Sequence, residues 1–427
     1  MKNLSKNTIK TLNDWNKIFK KKQKIFPSIQ ANLNWKNVEI LGIPTKRNKN
    51  WQYTPLEKFL DNNFVDVKNY NLSIKERNFF SLKLHAYRLV FINGKFSSLL
   101  SDKHTGFWKI HIRNQKNNLL TKKPIITDTF LYLIESLGRE IVKIYLPKEK
   151  IETTPLYLLH INQGSEQKKT LTTINYRHQI ELSEKSYGEI IEHFVSKNNL
   201  YSHFNSSRTS IIIDNYATLK YVKLGFENKT SYYFGYNDIY IKYNSIFNSN
   251  NIMLGSKINR NQTNVKINGK NSNLTMNSLL MTSAKDSIRD YSTYIEHNKS
   301  YCKSSQLNKT VIQKNGIGIF NGIIKVKKCA QKTNSKMINK NLLLDKSSKI
   351  NTKPQLNIYA DDIKCTHSST TGYVDKQQIL YLQSRGISYK KAKKMLIFSF
   401  FSDFIKQIHC KNLQKIISSN VYKNLKK

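Results

Sequence analysis

The run Tyr232-Tyr233-Phe234-Gly235-Tyr236, followed after Asn237-Asp238 by Ile239-Tyr240-Ile241-Lys242-Tyr243, decides how this chain is read. Both halves are rich in aromatic and β-branched residues, which suit a pleated, packed surface better than a helix. The same texture extends in both directions. Upstream lie Ile141–Tyr145, Tyr157–Ile161, Ile190–Val195 and Ser210–Ile213; downstream lie Leu274–Met281 and Ile317–Val326. Asn, Ser, Gly and Lys separate these runs, and no clear helical pattern interrupts them. Two architectures suit such a series: a sandwich or barrel, and a β-solenoid. The series is long for one sandwich. A solenoid lengthens freely because each coil contacts only its neighbours. The pattern therefore favours a solenoid, without a strict sequence period.

The flanks read differently. Leu12 to Phe26 places apolar residues at helical spacing with Lys between them. Asn93-Gly94 sits between apolar segments and marks a hairpin. Asp128 is placed to cap a helix over Thr129 to Leu137, with Gly138 after it. Past Gly372 the pattern is helical again. Asp375 caps a helix through Ser384, and Gly386 ends it in a left-handed conformation. Ser388 caps a longer helix whose apolar face is read as Ala392, Met395, Leu396, Ser399 and Phe400. A last helix covers Leu413 to Leu425. The expected organisation is a mostly helical N-terminal region with a short hairpin (1–139), a strand-rich core (140–371) and a C-terminal helical domain (372–427).

Composition excludes more than it identifies. Lys+Arg is 71 against 28 Asp+Glu, a net charge of +43. Such an excess suits nucleic acid or an anionic membrane. Here it is mostly Lys, spread along the chain with Asn, Ile, Tyr and Ser, as AT-rich codons favour. Runs such as Lys20-Lys21-Lys22 are too short to define a groove. The reading expects no nucleic-acid partner. It expects no membrane partner either, since no segment approaches the roughly 20 apolar residues of a span. The first residues carry charge but no apolar signal core, and the four cysteines (Cys302, Cys329, Cys365, Cys410) are widely spaced. A reducing cytoplasm fits both.

The residues that carry chemistry lie near the end of the core, in Pro354-Gln-Leu-Asn-Ile-Tyr-Ala-Asp-Asp-Ile-Lys-Cys-Thr-His367, which reads as a strand. Cys365 and His367 are second neighbours and share a face. Parallel side chains suit two ligands of one soft metal better than a nucleophile and its base. Asp361 falls on the same face, as a third ligand, an imidazole partner or a turn residue. A closed structural site needs four ligands, and the sequence places no other cysteine nearby. Cys302 lies in a polar stretch and is expected to be accessible. Gly269-Lys270 lacks the rest of a phosphate loop. No Gly-x-Ser-x-Gly, His-Glu-x-x-His or helix-opening Gly-x-Gly-x-x-Gly occurs.

Phe320-Asn321-Gly322 through Val326, Ala330-Gln331-Lys332-Thr333, Asn341-Leu342-Leu343-Leu344 and Lys353 to His367 together resemble the SufB/SufD family of iron–sulfur cluster assembly proteins. Tyr381-Leu382-Gln383-Ser384-Arg385-Gly386-Ile387 continues the likeness, and Trp51-Gln52-Tyr53-Thr54-Pro55-Leu56 resembles an element of the SufD branch. Leu382 stands where SufB proteins tend to carry Cys, and no cysteine precedes Cys302. Ser368-Ser369 replace the family's usual Gly-Ala.

The resemblance implies a right-handed parallel β-helix core flanked by helical regions. It implies a complex with a SufB-like subunit along the solenoid edge and with a SufC-like ATPase on the C-terminal domain. Tyr381, Leu382, Arg385, Gly386 and Ile387 would serve that docking. A transient iron–sulfur cluster would form between the two scaffold chains, with His367 a ligand and Cys365 a second one or a sulfur-handling thiol. Reduced flavin is associated with the whole complex, and no residue here is assigned to it. No catalytic residue is expected. The rival readings are a SufB-type subunit, a β-solenoid enzyme acting on acidic polysaccharide, and a nucleic-acid-binding protein.

Overall fold

The two aromatic runs at 232–243 form one strand, Tyr232–Ile241, in a computed structural model that describes residues 5–68, 70–114, 122–282 and 284–426. That strand pairs in parallel with His203–Ile213 on one side and Ile258–Ile267 on the other. The chain is a parallel β-solenoid of about seven turns. One sheet orders the strands Lys109–Asn114, Glu140–Leu146, Thr170–Leu182, His203–Ile213, Tyr232–Ile241, Ile258–Ile267, Ile288–His297, Ile317–Val326 and Lys349–Ile358, and Asn63–Asp66 joins beside Thr170–Leu182. The other orders Lys95–Ser97, Tyr87–Ile92, Leu156–Asn162, Tyr187–Ser196, Thr218–Gly225, Ile246–Met253, Asn273–Met281, Lys303–Ile312, Asn334–Leu343 and Lys364–Tyr373. In the core, successive strands of the chain alternate between the sheets.

The absence of a sequence period has a geometric cause. The first-sheet residues Phe204, Tyr232, Ile258, Ile288 and Ile317 are stacked partners, and their numbers differ by 28, 26, 30 and 29. The coils repeat in space while loop length varies. A second regularity marks each corner. Lys185, Tyr216, Asn244, Asn271, Tyr301 and Lys332 all have φ between 51° and 60° and lie two residues before a second-sheet strand. Each donates its backbone N–H to the carbonyl of the equivalent corner one coil on: Lys185 to Asn215, Tyr216 to Tyr243, Asn244 to Lys270, Asn271 to Ser300, Tyr301 to Gln331 and Lys332 to Asp362.

Three apolar layers follow from strand alternation. Inward residues such as Leu158, Ile180, Ile213, Leu219, Ile241 and Phe247 fill the lumen. The outer face of the first sheet presents Phe204, Phe234 and Ile258 to Trp15, Phe59, Phe64 and Phe130 of the N-terminal segment. The outer face of the second sheet presents Leu224, Ile252, Leu279 and Val311 to Phe401, Phe404, Ile417 and Val421 of the C-terminal helices.

Polar clamps register the N-terminal layer. Glu135, on the helix Thr129–Leu137, pairs with Arg177 and Arg208 on adjacent strands. Burial raises the Glu135 pKa, but the two guanidiniums outweigh it and hold the carboxyl below its usual range. Trp51 is buried under the Arg260 guanidinium, 4.0 Å from its ring centre, and Thr54 donates to Asp290, which also pairs with Arg260. The Trp51 to Leu56 element thus pins the segment to the solenoid.

The hairpin at Asn93-Gly94 is present: both residues have positive φ, and Val90 pairs antiparallel with Ser97. Asp128 caps its helix through a 2.9 Å bond from the Leu131 amide. Four expectations are corrected. Residues 354–367 are not one strand but the end of Lys349–Ile358, a bend, and the start of Lys364–Tyr373, because the chain crosses between sheets there. Cys302 is fully buried in the lumen core. Along the helix Tyr389–Lys406 the buried residues are Ala392, Ile397, Phe401, Phe404 and Ile405, whereas Met395 and Ser399 are exposed. Ser388 precedes that helix without a side-chain cap bond.

Candidate functional site

The two ends of the solenoid differ. At the N-terminal end each sheet finishes in a short antiparallel strand, Lys109–Asn114 and Lys95–Ser97. At the C-terminal end both sheets stop at full ten-residue strands, Lys349–Ile358 and Lys364–Tyr373. Among the described residues neither has a partner on its outer side. The lumen is therefore open at that end. Pro354 stands in the first of these edge strands, where a missing N–H is tolerated.

The bend before the last strand is fixed by the coil beneath it. Ala360 is buried, the Asp362 amide donates to Gln331 Oε1 (3.0 Å), and the Asp362 carboxylate pairs with Lys332. Lys364 N–H then donates to Thr333 O (2.8 Å) and starts the strand. Asp361 is exposed in this bend and lies outside the strand that carries Cys365 and His367. The shared face read for it from the sequence is corrected.

Cys365 stacks in register on Ser335, and His367 on the buried Met337. Cys365 is half-buried and packs against the lumen core, so this face is the inward one. His367 is exposed because no further coil covers it. Burial pushes the Cys365 thiol up, against a backbone hydrogen bond at Ser335. A bound soft metal would favour the thiolate instead. Ser369 shares the same face. Its hydroxyl accepts from Asn339 Nδ2 (3.2 Å) and donates to Thr352 Oγ1 (3.2 Å), bridging the two edge strands. The sequence reading missed this bridge; it singled Ser368-Ser369 out only as a departure. The side chain of Ser369 faces the lumen mouth, while Ser368 alternates away from it.

The residues read as a docking element lie together on and after the helix Lys376–Ser384, of which only Ile379 is buried. Tyr381 is 60% exposed, and the neighbouring Leu380 66%. Arg385 lies over the Tyr381 ring, 5.3 Å from its centre. The helix ends in a Schellman turn. Ile387 N–H donates to Leu382 O (3.1 Å), Gly386 N–H donates to Gln383 O (2.9 Å), and Gly386 has φ +78°. Leu382 and Ile387 are half-buried beside this turn. No helix among the described residues is long and apolar enough to cross a membrane.

A family model for the SUF system FeS cluster assembly SufBD core domain matches residues 161–400. The chain is 36% identical over 421 residues to the iron-sulfur cluster assembly protein SufD of Escherichia coli (strain K12), covering 98% of each chain. It is 26% identical over 406 residues to an iron-sulfur cluster assembly SufBD family protein of Synechocystis sp., covering 91% of this chain and 89% of that relative. It is also 27% identical over 141 residues to SufD of Bacillus subtilis (strain 168), covering 33% of this chain and 32% of the relative. A parallel solenoid with one open end and a match this long agree: the chain belongs to the SufB/SufD family of iron–sulfur cluster assembly proteins, on its SufD branch.

Proposed function

We propose that this chain is a non-enzymatic scaffold that pairs through its open solenoid end with a SufB-like subunit and holds a nascent iron–sulfur cluster between the two. The observation that carries this reading is the placement of Cys365 and His367 on the inward face of the last coil, on an edge strand that has no outer partner among the described residues. Two ligands cannot close a site; ligands from a second chain would complete it. The cluster is cargo, and an incompletely held cargo can be released. His367 acts as an iron or cluster ligand, and Cys365 as an auxiliary ligand or sulfur-handling thiol. The unpaired backbone groups of the two edge strands supply the pairing surface. Residues 372–427 form the docking domain for a SufC-like ATPase, with Tyr381, Leu382, Arg385, Gly386 and Ile387 at its contact. The ATPase supplies the energy, in the cytoplasm.

The test is co-expression with SufB-like and SufC-like subunits, followed by iron analysis and absorbance of the purified complex. The three chains should co-purify. His367→Ala should leave the complex intact and lower its iron by about tenfold or more. Wild-type iron content in that variant would remove His367 from the site.

A further inference from the structure

Inside the solenoid, far in sequence from the open mouth, three inward side chains meet where aliphatic packing is the norm. His160 comes from Leu156–Asn162, Glu192 from the adjacent strand Tyr187–Ser196, and His178 from Thr170–Leu182 of the opposite sheet. All are at most 2% exposed. One ligand atom from each lies within 4.8 Å of the others. His160 Nε2 is 3.4 Å from Glu192 Oε1, and His178 Nε2 is 3.9 Å from it. None of these three atoms makes a hydrogen bond. We propose that His160, His178 and Glu192 are the protein ligands of a divalent first-row transition-metal ion held in the lumen.

Two observations favour a cation there. Buried polar atoms are almost always satisfied, and three that converge without partners need something between them. Ligands about 2.0–2.2 Å from a tetrahedral metal are separated by about 3.4 Å, and the two histidine–carboxylate separations are 3.4 and 3.9 Å.

The surroundings orient this set. Lys223 Nζ lies 3.2 Å from Glu192 Oε2, and the Tyr221 hydroxyl donates to the same oxygen, leaving Oε1 for the metal. The His160 ring is stacked between Phe91 (4.7 Å) and Phe194 (4.2 Å). Lys223 adds a positive charge, and Glu227, held by Asn162, His203 and Asn205, adds a second carboxylate nearby. Two imidazoles and a carboxylate suit Zn²⁺ or Fe²⁺ rather than Ca²⁺ or Mg²⁺. The coils close over the site, so the ion enters as the chain folds.

The experiment refolds the full-length chain with Zn²⁺ or Co²⁺, removes free metal on a chelating column, and measures metal content and X-ray absorption. The wild-type chain should retain about one equivalent, with a nitrogen- and oxygen-only first shell showing imidazole scattering. His367→Ala should retain it as well, whereas His178→Asn and Glu192→Gln should lose it while keeping the wild-type circular dichroism. If either lumen variant fails to fold, the wild-type spectrum decides alone. A wild-type chain without retained metal, a sulfur-containing first shell, or loss of the metal in His367→Ala would overturn the proposal.

Discussion

His193 and His297 show what burial in a solenoid does to an ionisable side chain. His193 lies under the outer layer of the second sheet, bonded to the Tyr157 hydroxyl (2.8 Å), and His297 faces the lumen, bonded to the Ser304 hydroxyl (3.0 Å). Burial holds them neutral, with pKa lowered from 6.5 to about 3 and about 4. In the unfolded chain they take up protons below about pH 6.5. The folded chain does not until pH approaches those lower values. Stability from these groups is therefore complete above pH 6.5 and falls with acidification, by about 1.4 kcal/mol per pH unit for each histidine. The urea midpoint should drop between pH 7 and pH 5. In His297→Asn the slope should be shallower by one proton's worth. An unchanged slope in that variant would mean His297 is already protonated in the folded protein. The Cys365–His367 pairing was legible because it needs only strand parity. Cys302 was misread because its polar neighbours sit at a corner while its own side chain turns inward to the Gly269 carbonyl (3.1 Å).

At the scale of elements, legibility tracked how apolar both faces of a strand are. Ile317–Val326 was read with its observed limits, since nearly every position is apolar or small. Ile258–Ile267 (INRNQTNVKI) was missed, although all but one of its residues are buried. Several of its polar side chains find partners: Arg260 pairs with Asp290 and lies over the Trp51 ring, Asn264 donates to Asp238, and Asn261 donates to Asn259 on the same strand. A propensity argument sees only the polarity; Asp290 and Asp238 lie a coil away. The corners were invisible for a related reason. Lys, Tyr and Asn occupy the same left-handed site because the inter-coil amide ladder, not the side chain, holds it. That conformation costs a non-glycine residue roughly 1–2 kcal/mol, and a β-branched one more. Asn271→Val should lower stability by about that amount, and Asn271→Gly by no more than a few tenths. Gly386 makes the same argument at a helix end. Nothing lies within 4 Å of an added Cβ, so Gly386→Ala should cost about 1 kcal/mol through φ alone. Thermal unfolding of the three variants checks both, and equal stability of Val and Gly at 271 would contradict the ladder account.

On the scale of the whole molecule, the solenoid is a stack whose two ends are treated differently, and this asymmetry should govern its dynamics. A coil is stabilised by one neighbour on each side, and an end coil by one only. The N-terminal end is compensated: antiparallel strands cap both sheets there, and the helix Thr129–Leu137 packs across Thr170–Leu182 and His203–Ile213 through Glu135. Among the described residues the last coil has no such cover, and most of the residues in Lys364–Tyr373 are exposed. Local opening should therefore begin at 349–373, with a free energy well below that of global unfolding, while the amides of 203–297 exchange last. Hydrogen exchange with mass spectrometry reads this directly. The isolated chain should show fast exchange in both edge strands, grading to slow exchange toward the middle coils. Addition of a SufB-like subunit should protect 349–373 preferentially, because pairing converts an end coil into an interior one. Uniform protection along the free solenoid would mean that the open end is already stabilised by its own packing. Protection appearing only at 376–406 would move the partner to the helices and away from the lumen mouth.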